Sequence, residues 1–155
     1  MNKINKTQRA WLAGFIDGEG YIGITFQRKK ETRFSSATPR YHPLLIIVNT
    51  NKEVLSFIKR VINDGKIYVG KESNGKWKKS YQYKLTKRDT LEEILTAILP
   101  YLKLKNQQCK ILLNFIRRRK NIKPRTGEGS RGITSFNQRD QKLYQELLLL
   151  NKRGV

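Results

Sequence analysis

Cysteine and histidine are almost absent from this chain. One cysteine, Cys109, and one histidine, His42, in 155 residues exclude an internal disulfide and leave too few soft ligands for a zinc site; a reducing compartment is expected. Acidic residues are scarce too: 12 Asp and Glu stand against 33 Lys and Arg, a formal net charge of +21. No apolar run approaches the ~20 residues that span a bilayer. The basic start "MNKINKTQRAW" lacks the apolar stretch of a secretory signal, and no segment pairs a basic face with exposed Trp, Phe and Leu as a membrane-surface helix does. The charge therefore points to nucleic acid, because each Lys or Arg that replaces a condensed counterion adds affinity through salt release. With 37% hydrophobic and 29% charged residues, the chain has a globular composition, and its length suits one domain over residues 1–155.

Apolar spacing gives the order of elements. A helix is expected from an N-cap at Thr7 to about Asp17. From Tyr21 to Lys29 the residues alternate, with Ile22, Ile24 and Phe26 inward and Tyr21, Gly23, Thr25, Gln27 and Lys29 outward. "YHPLLIIVN" is a second strand, read with Leu44, Ile46 and Val48 inward. "TNKE", Thr50 to Glu53, is a capping box opening a helix with Val54, Ile58, Val61 and Ile62 on one face. "KIYVGKE" and "SYQYKLTK" flank "SNGK" as a hairpin. "DTLE", Asp89 to Glu92, opens another helix, which Pro100 ends or kinks. Cys109, Leu112, Leu113 and Ile116 mark the next helix. A basic loop "RRRKNIKPRTGEGSRG" precedes a last helix, about Asn137 to Asn151, offering Leu143, Leu147 and Leu150 to a core. Two αββ units in tandem predict an α+β fold, one antiparallel sheet backed by helices on a single face. The core is expected over about residues 7–120, with the loop and last helix over about 121–155.

Two carboxylates, Asp17 and Glu19, interrupt this basic chain where its first helix ends, in "WLAGFIDGEGYIGITF". Leu12 to Gly20, "LAGFIDGEG", resembles the motif of the LAGLIDADG homing endonucleases. The predicted αββαββα order is similar to that family's core fold, a four-stranded saddle sheet on DNA with helices behind it and further C-terminal helices. The resemblance implies a metal-dependent nuclease that cuts both strands of a long, near-palindromic duplex and leaves short 3′ overhangs. It assigns metal binding and catalysis to Glu19. A carboxylate beyond a helix C-terminus is poor for helix stability but good for a hard cation such as Mg²⁺, with Mn²⁺ able to substitute. Gly18 lets the backbone turn and bring its carbonyl toward the same ion, while Asp17 caps or orients the turn. A chain with a single motif implies a homodimer, in which the small Ala13 and Gly14 let paired helices approach closely. "LKLKNQQ", Leu102 to Gln108, resembles a Lys-x-Lys-x-x-Gln pattern of single-motif members. It implies Lys105 as a catalytic cation, supported by Lys103 and Gln108. Asn49, Thr50 and Asn51 are candidates for a polar residue holding water, or for caps of the next helix. A basic residue that relatives carry slightly later is replaced by Val54 or Leu55.

The expected DNA-reading set, drawn from strand alternation, is Tyr21, Gly23, Thr25, Gln27, Lys29, Tyr41, Tyr68, Glu72, Gln82, Lys84 and Thr86, with Lys103 beside it. Gln suits adenine and Lys suits guanine in the major groove. A register slip of one residue exchanges every assignment on a strand. The basic loop from Arg117 to Arg131 is expected on flanking phosphates. Rival readings are an RNA-splicing maturase of the same fold, with intron RNA as partner, and a non-catalytic nucleic-acid-binding module. Richness in Lys, Ile and Asn suggests an organelle or a microbial cytoplasm.

Overall fold

A computed structural model of the chain describes residues 4–28, 39–70, 79–122 and 137–152. The expected contacts Lys29 and Glu72, the "SNGK" loop and the basic residues from Lys123 to Arg131 lie outside the described residues. Among those described, the elements are α1 (Lys6–Glu19), β1 (Gly20–Arg28), β2 (Pro39–Asn49), α2 (Lys52–Ile62), β3 (Lys66–Val69), β4 (Tyr81–Leu85), α3 (Arg88–Ile98), α4 (Asn106–Asn121) and α5 (Gln138–Leu150). The expected αββαββα order is present from α1 to α3, followed by α4 and α5.

Local chemistry sets most boundaries, though often one or two residues from their expected place. The N-cap of α1 is Asn5 rather than Thr7, in a capping box with Gln8. Asn51, not Thr50, caps α2 by accepting from the N–H groups of Glu53 and Val54. Lys87 stands at the start of α3 without a side-chain cap, and Asp89 lies inside its first turn. Pro100 falls in a 3₁₀ turn, Leu99–Tyr101. Gly20 joins α1 to β1 with no loop: its N–H bonds the Ile16 carbonyl, and a Cβ there would stand 2.7 Å from that oxygen. Only glycine permits so abrupt a transition.

The strands form one antiparallel sheet in the order β1-β2-β4-β3. Its core face carries Ile22, Ile24, Leu45, Ile47, Tyr83 and Leu85, packed against Leu12, Ala13 and Ile16 of α1, Leu55, Ile58 and Ile62 of α2, and the buried stripes of α3 and α4. Cys109, Leu112, Leu113 and Ile116 are buried as expected. Each fully buried leucine or isoleucine contributes about 1.5–3 kcal/mol.

The pairing of Ile22 with Leu45 and of Gly20 with Ile47 reverses the expected parity of β2. Leu45 and Ile47 join the core, while Leu44, Ile46 and Val48 lie on the opposite face. Apolar side chains occupy every position from Leu44 to Val48, so alternation carries no signal there. Three further expectations are corrected. Phe26 shares the core face but is 42% exposed at its end, and Leu150 is 38% exposed. Tyr41, expected on DNA, pairs with Phe26 across the core face and is buried in a ring cluster with Phe26 and Tyr144.

Candidate functional site

Glu19 is the last residue of α1, and its exposed side chain has no hydrogen bond or ion pair among the described residues. Asp17, one half-turn earlier, is buried and fully engaged. Its Oδ2 accepts from the Lys103 N–H at 2.6 Å and its Oδ1 from the Lys105 N–H at 2.9 Å. The Lys105 Nζ in turn donates to the Asp17 carbonyl oxygen, one of the carbonyls that a helix leaves unpaired at its end. Burial alone would raise the Asp17 pKa, but the N–H groups of Lys103, Lys105 and Leu104, with the Lys105 charge, outweigh it and hold the carboxyl below its usual range.

This clip brings Lys105, the residue at the start of α4, to the negative end of α1 beside Glu19. Burial pushes the half-buried ammonium below the ordinary lysine range, against the opposing charges of Asp17 and Glu19. A cation held between a helix C-terminus and a free carboxylate suits charge developing on phosphate. Lys103 is exposed on the same loop. Gln108 does not support Lys105: its Nε2 donates to the Leu150 carbonyl at 3.3 Å. Asn49 accepts from the Asn51 N–H at 2.8 Å, and Asn51 caps α2, so both act as backbone caps.

The strand positions opposite the core are Tyr21, Gly23, Thr25 and Gln27 of β1, Arg40, His42, Leu44, Ile46 and Val48 of β2, Gln82 and Lys84 of β4, and Lys66 and Tyr68 of β3; of these Gly23 and Leu44 are buried. Among the described residues, these strand positions carry Arg40, Lys66 and Lys84 and no carboxylate. Thr86 follows β4 and shares a surface concavity with Lys66, Lys84, Lys87 and Asp64, the last of which faces Lys87 at 3.9 Å. Such a face attracts a polyanion. Arg40, His42 and Lys66 were missed in the sequence, Arg40 and His42 because the wrong parity of β2 put them inward. Burial, then the charges of Arg88, Arg40 and Lys84, hold His42 below the usual imidazole range, which leaves a neutral ring that both donates and accepts.

The expected interface pair divides. Ala13 is fully buried in the core of its own chain, whereas Gly14 is exposed with nothing within 4 Å of a Cβ built on it. The outer face of α1 instead carries Ala10, Gly14 and Gly18 at intervals of four. Trp11 stacks there on Phe15 at 5.2 Å and meets Phe57 of α2 edge-on at 5.2 Å.

The basic run is corrected in part. Arg117 to Lys120 form the last turns of α4 and pair within the chain: Arg117 and Lys120 with Glu92 at 3.1 and 2.5 Å, Lys120 with Asp89 at 2.6 Å. Arg118 and Arg119 face the buried Asp140 of α5 at 3.1 and 3.5 Å.

The helix, the acidic turn and the strand after it occupy the start of a recognised pattern, for the LAGLIDADG endonuclease family matches residues 12–122. The chain belongs to the LAGLIDADG endonuclease family. It is 27% identical to DNA endonuclease I-CvuI of Chlorella vulgaris over 114 residues, a match that covers 74% of this chain and 66% of that protein. Its fold is similar to that of I-CvuI in complex with the I-CreI target in the presence of Mg (TM-score 0.66, 22% identity, 97% of this chain and 87% of that one). It is also similar to the archaeal intron-encoded homing endonuclease I-Vdi141I complexed with DNA (TM-score 0.69, 22% identity, 96% and 87%). At these identities the two structures speak for the fold, which is the LAGLIDADG fold expected. No helix among the described residues is long and apolar enough to cross a membrane.

Proposed function

We propose that this LAGLIDADG protein is a homodimeric endonuclease that cuts both strands of a long, near-palindromic DNA duplex. One observation carries the reading: the Lys105 ammonium is clipped to the end of α1 beside a free Glu19, at the margin of a basic sheet face without described carboxylates. The donor set fits Mg²⁺ or Mn²⁺. A single unpaired carboxylate and nearby backbone carbonyls make an open site, suited to an ion that keeps waters and takes phosphate oxygens. No three His, Cys, Asp or Glu side chains converge among the described residues, so no closed cage competes with that arrangement. Glu19, with the Gly18 carbonyl, would hold the ion, which supplies Lewis-acid neutralisation of phosphate charge and an activated water.

The chain's own residues do the rest. Lys105 sets a point charge against non-bridging phosphate oxygens. Asp17 fixes the loop that carries Lys105 and spends both its oxygens there, so it is a positioning residue. Arg40, Lys66, Lys84 and Lys103 neutralise phosphates or reach guanine, while Gln27 and Gln82 offer bidentate pairing to adenine. An organelle or a microbial cytoplasm is the proposed setting.

The test is a randomised duplex library exposed to the protein with Mg²⁺ and, separately, with Ca²⁺, and then sequenced. Cutting at a near-palindromic site with Mg²⁺ supports the reading, and failure to cut any duplex rejects it. In the same assay Lys105→Ala is expected to slow cleavage about a hundredfold, as loss of one oxyanion-stabilising group does, with a smaller change in binding. An equal loss in both would reduce Lys105 to a phosphate clamp.

The outer stripe of α1 supports dimer formation through Ala10, Gly14 and Gly18, flanked by Trp11 and Phe57. Two-fold pairing of α1 would bring two copies of Glu19 together, one for each strand. Gly14→Arg adds bulk to that stripe without a clash inside the chain. Its expected result is a monomer by sedimentation velocity, with an unchanged far-UV circular dichroism spectrum and no double-strand cutting. A variant that sediments as a dimer would contradict this interface.

A further inference from the structure

The carboxyl end of α5 lies against the strand edge that leaves the catalytic turn. Asn151, just past α5, donates from Nδ2 to the Ile22 carbonyl at 2.9 Å, closing one edge of the sheet. The Asn151 side chain also makes a polar approach to the Tyr21 hydroxyl. Tyr21 itself does not stand up from the sheet. Its ring folds along β1 over Gly23, where a Cβ would come within 2.4–2.8 Å of the ring edge and hydroxyl. Glycine at position 23 therefore makes room for the phenol.

Two anchors hold α5 where Asn151 can do this. Gln108, in the first turn of α4 and three residues after Lys105, donates to the Leu150 carbonyl at 3.3 Å. At the other end Asp140, fully buried, faces Arg118 and Arg119 of the same α4. One helix thus carries both the proposed catalytic lysine at its start and the cations that seat α5 at its end.

We infer that Asn151 is a positioning residue for DNA reading: it fixes the pose of Tyr21 over Gly23, and with it the base-pair preference beneath the start of β1. The inference rests on the proposed DNA-binding function. A helix that merely covered a strand edge would need only the bond to the Ile22 carbonyl. The approach to a second side chain, on the proposed DNA-facing surface, is what edge protection leaves unexplained.

The experiment compares base preference across the randomised duplex library for the unmutated chain, Asn151→Ala, Tyr21→Phe and the double variant, with thermal unfolding measured for each. Tyr21→Phe keeps the Asn151–Ile22 bond and removes only the hydroxyl, so it reports even if Asn151→Ala folds poorly. Both single variants are expected to relax preference about tenfold at the same one or two base pairs, with the remaining positions unchanged. The double variant is expected to relax it no further, since coupled residues are non-additive. Equal weakening on all sequences, or additive effects at different base pairs, would overturn the inference and reduce Asn151 to an edge cap. If the unmutated chain binds no duplex with sequence preference, the proposed function itself fails, an outcome distinct from loss of coupling between the variants.

Discussion

Glu19→Gln is expected to lower strand cleavage by at least about a thousandfold, about 4 kcal/mol of transition-state stabilisation, while DNA binding persists. Several kcal/mol is the scale of charge stabilisation by a bound divalent ion, and Gln keeps the shape of the side chain while removing the anionic oxygen that holds such an ion. Folding is not expected to suffer, because Glu19 is exposed and has no ion pair or hydrogen bond among the described residues. Removing a negative charge from a helix C-terminus favours the helix by roughly 0.3–1 kcal/mol. Affinity for a polyanion is expected to hold or rise when a carboxylate beside it is neutralised. Parallel measurement of cleavage rate and of binding in Ca²⁺ separates these effects. Full activity in the variant would remove Glu19 from the site, and equal losses in binding and cutting would make it a DNA contact instead.

The second large effect is on stability. Asp140→Ala removes the buried counter-ion shared by Arg118 and Arg119, whose own side chains are 16% and 3% exposed. Breaking a buried pair by removing one partner typically costs about 3–5 kcal/mol, because an uncompensated charge remains. The same carboxylate accepts from the Asn137 N–H at 3.0 Å, so the reciprocal half of the capping box of α5 is lost with it. The partial exposure of Arg118 argues for the lower end, about 3 kcal/mol. For a chain of this size that lowers the unfolding midpoint by about 6–12 °C. Arg119→Met in the Asp140→Ala background is expected to recover part of the loss, since an apolar side chain of similar length has no charge to leave unpaired. A midpoint within 1–2 °C of the unmutated protein, roughly the surface-substitution range, would show that α5 does not depend on this cluster.

Most of the fold was legible because its signals are local. The first helix, which runs to Glu19 rather than ending at Asp17, the alternation of Ile22 with Ile24, and the stripe Cys109, Leu112, Leu113 and Ile116 each depend on residues within one or two turns. Boundaries slipped where neighbouring residues compete for one cap: Asn5, Thr7, Thr50 and Asn51 all have capping side chains, and geometry chose the two asparagines. The basic run at the end of α4 was illegible for a different reason. Its partners Asp89, Glu92 and Asp140 come from α3 and α5, and charge counting along the chain cannot show which cations are already paired.

Residue pattern by itself determined the αββαββα order and placed Glu19 near the end of the first helix, because these follow from spacing and residue type over short stretches, while Lys105 was singled out through the resemblance of its motif to the family's. Only the tertiary structure decided which face of β2 turns away from the core, that Ala13 belongs to the core while Gly14 faces outward, and that Asp17 grips the Lys105 loop across 86 and 88 residues of chain. The physical reason is that side-chain parity on an apolar strand and partners distant in sequence are set by packing against other elements, and no local periodicity records them.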